Sequence, residues 1–201
     1  RLIAVFASLA ILLLGTGGYG AFLIPVSAIS IDVNPSVELG LNSFDRVISV
    51  EGFSEDGEAL AAASEIKYMN YLDALDSLMS SEDMAEFLNT DAYVSITVAS
   101  GSEGKSAEML SRISACEYAN GLNVGCFRGS STESRAAHGF GMSIGKYTAF
   151  LELQALDPEI SPEAVRSMTM RQIRERIAEL SGTHSGGGEF QGFGGGRRGR
   201  S

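Results

Sequence analysis

Positive charge is scarce in this chain. Lysine and arginine number 15 against 25 aspartates and glutamates, a formal net charge of −10, and no Lys or Arg stands between Arg1 and Arg46. A surface of that sign repels a polyphosphate, which argues against nucleic acid as a main partner. Histidine is scarcer still. His138 and His184 stand far apart, and no metal-ligand spacing surrounds either. Cysteine is limited to Cys116 and Cys126, too few for a disulfide scaffold. Outside the cytoplasm the pair can form one bridge; otherwise they stay as buried free thiols. Residues 139–146 have the glycines of a phosphate loop without its spacing. Phe140 stands where the first glycine belongs, and Tyr147 follows Lys146 where Ser or Thr is required. The glycines read as a turn, with Lys146 in the first turn of a helix. Serines abound with no nucleophile elbow, and carboxylates are scattered rather than paired. A hydrolase would need a pocket that gathers His138 with a serine and a carboxylate. Nothing points to a cofactor or a metal.

One long hydrophobic run is present. Residues 2–24 are uncharged and mostly apolar, and about 20 such residues suffice to cross a bilayer as a helix. Arg1 flanks the run, so the positive-inside rule leaves the N-terminus in the cytoplasm and the bulk of the chain outside. The rival is a secretory signal peptide, with residues 2–14 as its apolar region and Val26-Ser27-Ala28 as a small-residue cleavage site. Both readings export the domain. The chain opens on Arg1 rather than Met, so it reads as a piece of a longer or processed protein.

The soluble part opens on Ser30-Ile31-Asp32-Val33-Asn34-Pro35-Ser36-Val37-Glu38-Leu39. Ile29, Ile31 and Val33 alternate with polar residues, and Val37, Leu39 and Leu41 resume the alternation, which predicts two half-buried strands. Pro35 cannot donate to a ladder, and Asn-Pro favours a turn. The bond also has latent chemistry. Proline nitrogen carries no hydrogen, so ordinary deamidation is blocked, but the Asn34 side-chain nitrogen can attack its own carbonyl. That closes a five-membered imide, expels the Pro35 nitrogen and cuts the chain. In a flexible peptide this is very slow; a fold that orients the bond and stabilises the oxyanion accelerates it. Asp32 and Ser36 are the nearest groups in sequence to orient or polarise the bond, and by alternation Asp32 shares a strand face with Asn34. The dipeptide alone reads as a turn.

The remainder predicts a mixed α/β (α+β) fold with helices on one face of a small sheet. A third strand is expected over residues 46–51, a turn at Glu55-Asp56-Gly57, and a short helix over residues 58–64. A second helix follows over 67–79, and Ser81 caps a further turn. Strands are expected at 93–98 and 122–127, with a helix between them. From Ser131 the pattern is helical, with caps at Ser143, Ser161 and Thr169. Ile173, Ile177 and Leu180 form an apolar stripe, and Arg171, Arg174, Glu175 and Arg176 read as its solvated face. Residues 1–25 are thus expected as a transmembrane helix, 26–130 as an α/β domain with the Asn-Pro strand pair, 131–182 as a helical part, and 183–201 as a Gly-rich disordered tail.

Several stretches together resemble one family. The residues from Ser30 to Leu39, then Phe44-Asp45-Arg46-Val47-Ile48-Ser49-Val50 and Asp56-Gly57, all directly behind an apolar run, are similar to the extracytoplasmic domain of RsgI-type anti-sigma factors from Gram-positive bacteria. Gly141 to Tyr147, Leu153 to Pro158 and Met168 to Arg174 are also similar to members. The resemblance implies a cytoplasmic domain, absent from this chain, that sequesters a sigma-I type sigma factor. It implies self-cleavage at Asn34-Pro35, halves held together by the sheet, and later cutting of the stump by an intramembrane protease. No carbohydrate-binding or other sensing module follows Leu180, so the extracellular ligand is open. The alternative is an exported or tethered domain that binds a ligand or cell-wall polymer without cutting itself.

Overall fold

The computed structural model describes residues 20, 22–88, 92–116 and 122–182. The apolar run lies almost wholly outside the described residues, as does the Gly-rich tail. No helix among the described residues is long and apolar enough to cross a membrane.

Five strands form one sheet: β1 (Ser27–Asp32), β2 (Ser36–Leu41), β3 (Val47–Gly52), β4 (Tyr93–Ser100) and β5 (Asn123–Ser130), in the order β3-β2-β1-β4-β5. The first strand is therefore the middle one. It pairs antiparallel with β2 and with β4 through six positions on each side. β4 and β5 run parallel, joined through a crossover helix as parallel pairing demands.

Among the described residues, eight α-helices with defined bounds pack around the sheet: α1 (Glu55–Ala63), α2 (Tyr71–Met79), α3 (Glu82–Ala85), α4 (Glu103–Ser114), α5 (Ser134–Gly139), α6 (Ile144–Leu156), α7 (Pro162–Ser167) and α8 (Met170–Ser181). The caps at Ser81, Ser143, Ser161 and Thr169 stand where the sequence places them, and each side chain accepts a first-turn N–H. Two boundaries differ from expectation. Ser54 caps α1, so Glu55-Asp56-Gly57 is a helical first turn and not a separate turn. Asn70 caps α2, and Tyr68 sits before it at φ +70° rather than on the helix.

The alternation of β1, β2 and β4 splits the sheet into two faces. Ile29, Ile31, Leu39, Ile96 and Val98 pack with Leu60 of α1, Leu75 and Leu78 of α2, Met84 of α3, and Met109 and Ile113 of α4. Each such fully buried side chain stabilises the fold by about 1.5–3 kcal/mol. The other face is not left to solvent. α6 crosses it, touching β1, β4 and β5, and packs with α7 and α8 through Phe150, Leu153, Val165 and Ile173. Helices therefore cover both faces, a correction to the single covered face expected. Arg174 is a second correction. It is 6 % exposed, its guanidinium lies 3.8 Å from the Phe127 ring centroid, and it pairs with Glu152 at 2.5 Å.

Candidate functional site at the Asn34-Pro35 turn

β1 and β2 are joined by Val33-Asn34-Pro35 alone, because Asp32 and Ser36 are already paired across the hairpin. A connection this short forces one residue out of the ordinary backbone regions. Asn34 takes φ +107°, a conformation that costs a non-glycine residue about 1–3 kcal/mol and persists only where its surroundings impose it. The surroundings are well defined. The Val33 N–H donates to the Pro35 carbonyl at 2.9 Å, and the Phe53 N–H donates to the Ser36 carbonyl at 2.9 Å. Ser54 Oγ accepts both the Ser36 N–H and the Gly57 N–H, at 3.3 and 3.1 Å. A Cβ on Gly57 would stand 2.3 Å from the Ser36 carbonyl oxygen, so glycine lets α1 press directly against the residue that follows Pro35.

Asn34 is exposed and Pro35 is buried. Asp32 and Ser36 stand directly opposite each other across the hairpin. Asp32 and Asn34 do not share a strand face, since the positive φ carries Asn34 out of the alternation. No hydrogen bond reaches the Asn34 side chain among the described residues.

Asp32 is fully buried, and its neighbours explain how. The Ser30 hydroxyl donates to one carboxylate oxygen, and the Ser143 hydroxyl donates to the other at 2.6 Å. Gly145 allows the approach: a Cβ there would lie 2.3 Å from Asp32 Oδ2. Glu38, two residues along the same face from Ser36, accepts the Ile144 N–H at 2.8 Å and faces His138 Nε2 at 3.0 Å. The first turn of α6 is thus seated on two buried carboxylates. That seat answers the phosphate-loop question: Gly141 turns the chain at φ +66°, the nearby helix donors are engaged by Glu38 and the Ser143 cap, and Lys146 Nζ donates to the Arg166 carbonyl at 3.2 Å.

Burial pushes the Asp32 carboxyl above the usual carboxylate range, opposed by the hydroxyls of Ser143, Ser30 and Ser36 and by the charge of Lys146. Desolvation raises Glu38 as well, opposed by the Ile144 N–H and by His138. Burial lowers Lys146, opposed by Asp32. A carboxyl raised in the folded state contributes stability that is present below its unfolded value and lost as pH rises through the folded one. Relative to Asp32→Asn, the wild type is therefore expected to lose stability from about pH 4 upward. Urea unfolding midpoints of both proteins at pH 5 and pH 8 check this: the gap should shift against the wild type at pH 8.

The serines and His138 do share a cleft with a carboxylate. Ser49, Ser131, Ser134, His138, Glu38 and Glu51 are among its lining residues. The His138 ring is held by Glu38 and lies tilted against Phe53, with ring centroids 5.1 Å apart. No hydrogen bond joins a serine to His138 among the described residues. Cys116 and Cys126 are both unbridged. Cys126, within β5, packs against the core, and the Cys116 thiol donates to the Arg112 carbonyl at 3.2 Å.

Sequence reasoning finds Ser143 only as a helix cap and gives Gly145 and Glu38 no role at the site. The polar positions Ser30, Asp32, Ser36 and Glu38 imply the solvent side of two half-buried strands and instead form a buried layer.

Comparison with known proteins gives this geometry a context. The sequence profile described as "Anti-sigma factor RsgI-like central domain" matches residues 26–152, a span that includes the hairpin, the whole sheet and most of α6. Two curated relatives come from Acetivibrio thermocellus. The chain is 24 % identical over 188 residues to anti-sigma-I factor RsgI7, covering 90 % of the chain and 35 % of the relative. It is 22 % identical over 168 residues to anti-sigma-I factor RsgI5, covering 76 % of the chain and 35 % of the relative. The chain thus spans about a third of the length of the relatives it matches.

Proposed function

Because the chain belongs to the family of RsgI-like anti-sigma factor central domains, we propose that it is the anchor and outer domain of a single-pass membrane regulator of a sigma-I type sigma factor, and that it cuts itself once at Asn34-Pro35. Residues 2–24 span the cell membrane, the N-terminus is cytoplasmic, and the sigma factor is held by a cytoplasmic domain outside this chain. The observation that carries the reading is the placement of the bond. It sits at the tip of a three-residue turn with Asn34 at φ +107°, while the strands on either side are paired along their length.

The step balances within the chain. Asn34 Nδ2 attacks the Asn34 carbonyl carbon, the C–N bond to Pro35 breaks, one proton leaves Nδ2 and one arrives at the Pro35 nitrogen. The products are a C-terminal imide at residue 34 and a new N-terminus at Pro35. Asp32, raised by burial, is suited to hold the proton that the leaving nitrogen needs, with Ser36 as the bridge to it.

The cut leaves β1 on the membrane-tethered fragment and the rest of the sheet on the outer one. Six paired positions on each side keep the fragments associated. Withdrawal of β1 is an all-or-none event; it bares a short stump to an intramembrane protease, which releases the sigma factor.

Mass spectrometry of the folded protein tests the reading. Two chains divided between residues 34 and 35, the shorter one carrying either the imide or its hydrolysed form, are expected; intact chain alone would sink self-cleavage. A second reading, a non-cleaving exported domain that binds wall polymer or sugar, is favoured by the cleft beside Glu38 and Glu51. It is distinguished by an uncut chain that retains such a ligand.

A further inference from the structure

The end of the sheet opposite the Asn34-Pro35 turn has its own cluster. β1 starts there, β2 ends there and β3 starts there. The β2–β3 turn presents Phe44, 67 % exposed, and the segment before α2 presents Tyr68, 49 % exposed. Phe22 stacks on Phe44 with centroids 6.0 Å apart and tilts against Tyr68 at 6.4 Å. Leu23, Ile24, Val26 and Met69 are exposed too. With Phe44 and Tyr68 they make six of the nine exposed large apolar side chains among the described residues, so the exposure is concentrated rather than scattered.

The cluster is held in place. The Asn42 side-chain amide donates to the Phe22 carbonyl at 2.9 Å, the Arg46 guanidinium donates to the Tyr68 carbonyl at 3.3 Å, and the Tyr71 N–H donates to the Asp45 carbonyl at 3.1 Å. Tyr68 at φ +70° is an outlier for a bulky residue, and the turn it makes leaves the ring exposed. Lys67 Nζ stands 5.9 Å from the Tyr68 ring centroid. The Asp45 carboxylate is paired with Lys105 at 2.7 Å, which mutes its repulsion for an anionic surface.

We propose that Phe22, Phe44 and Tyr68 form a collar seated in the interfacial layer of the lipid bilayer, with Arg46 and Lys67 against its phosphate headgroups. Two features select lipid over a protein partner. The chain runs from Phe22 straight into the apolar residues 2–20, so the cluster lies where a span would leave the membrane. Aromatic rings flanked by cations are also the composition that this layer favours. The inference rests on the reading of residues 2–24 as a span. Its consequence is orientation: with the collar seated, the Asn34-Pro35 turn is held roughly 20 Å farther out, the length of a six-residue strand.

The chain contains no tryptophan, so a single one reports its own surroundings. Phe44→Trp and, as a control on α6, Leu156→Trp are introduced separately into the full chain. Each is reconstituted into phosphatidylcholine–phosphatidylglycerol vesicles with or without acyl-chain bromination. The expected result is that both proteins float with the vesicles, and that only the residue-44 reporter shifts to the blue and is quenched by the brominated lipid. Flotation with residue 44 as solvent-like as residue 156 overturns the collar and leaves the span standing. A blue shift without quenching means that protein covers the ring, which also overturns it. Failure to float overturns the span and the collar together.

Discussion

Under the proposed self-cleavage, Asn34→Gly is expected to leave the purified chain uncut and folded under conditions where the wild type is expected to divide between residues 34 and 35. Two effects of the residue are separated by this choice. Glycine accepts φ +107° without penalty, so the turn keeps its shape and the domain loses no stability. It has no side-chain amide, so the five-membered imide cannot form. An attacking group tethered within the same residue as its target has an effective concentration that external water cannot approach, and its loss is expected to slow cutting by at least about a hundredfold. Asn34→Ala should be equally uncut but less stable, because a Cβ at that φ is strained. Gel electrophoresis and intact mass over several days at neutral pH provide the comparison. If either variant were cut at the same bond as readily as the wild type, the Asn34 side chain would not be the nucleophile, and a protease or water would have to take its place.

The hairpin was legible before the structure because its signals are local. Alternating β-branched residues on either side of Asn34-Pro35, and a proline that cannot join a ladder, define two strands and a turn. The helix caps at Ser81, Ser143, Ser161 and Thr169 were legible for the same reason, since a cap depends on residues two or three positions away. The surroundings of the bond were not. Ser143 and Gly145 reach Asp32 across more than a hundred positions of sequence, and nothing in either stretch announces the other. The polar face of β1 and β2 misled because alternation reports only that two faces differ. It does not say whether the polar one meets water or a helix terminus. Arg174 failed in the same way, as a charge read as solvated that lies on Phe127. The positive φ at Asn34 follows from pairing Asp32 with Ser36, a register that hydrophobic periodicity permits without requiring.

Ile31→Ala is expected to convert a nicked but assembled protein into one that falls apart. Ile31 is 1 % exposed near the C-terminal end of β1 and belongs to the larger core cluster. Truncating such a side chain costs about 2–5 kcal/mol. In an uncut chain that loss only lowers the unfolding midpoint, because β1 remains covalently attached to its partners. Once Asn34-Pro35 is broken, the same loss acts on a binding equilibrium between two fragments, and at 1.4 kcal/mol per tenfold it weakens their association by roughly thirty to several thousandfold. The fragments also share the Asp32–Ser143 hydrogen bond, with the carboxylate on the tethered piece and the hydroxyl on the outer one, so Ile31→Ala removes packing while leaving that polar clasp intact. Dilution of the nicked variant into detergent, followed by size-exclusion chromatography, should release the outer fragment, while nicked wild type elutes as one species. Ile31→Ala combined with Asn34→Gly should elute as one species as well. Co-elution of the nicked Ile31→Ala fragments at high dilution would mean that contacts outside the sheet hold the halves together, and β1 would then not be the element whose withdrawal carries the signal.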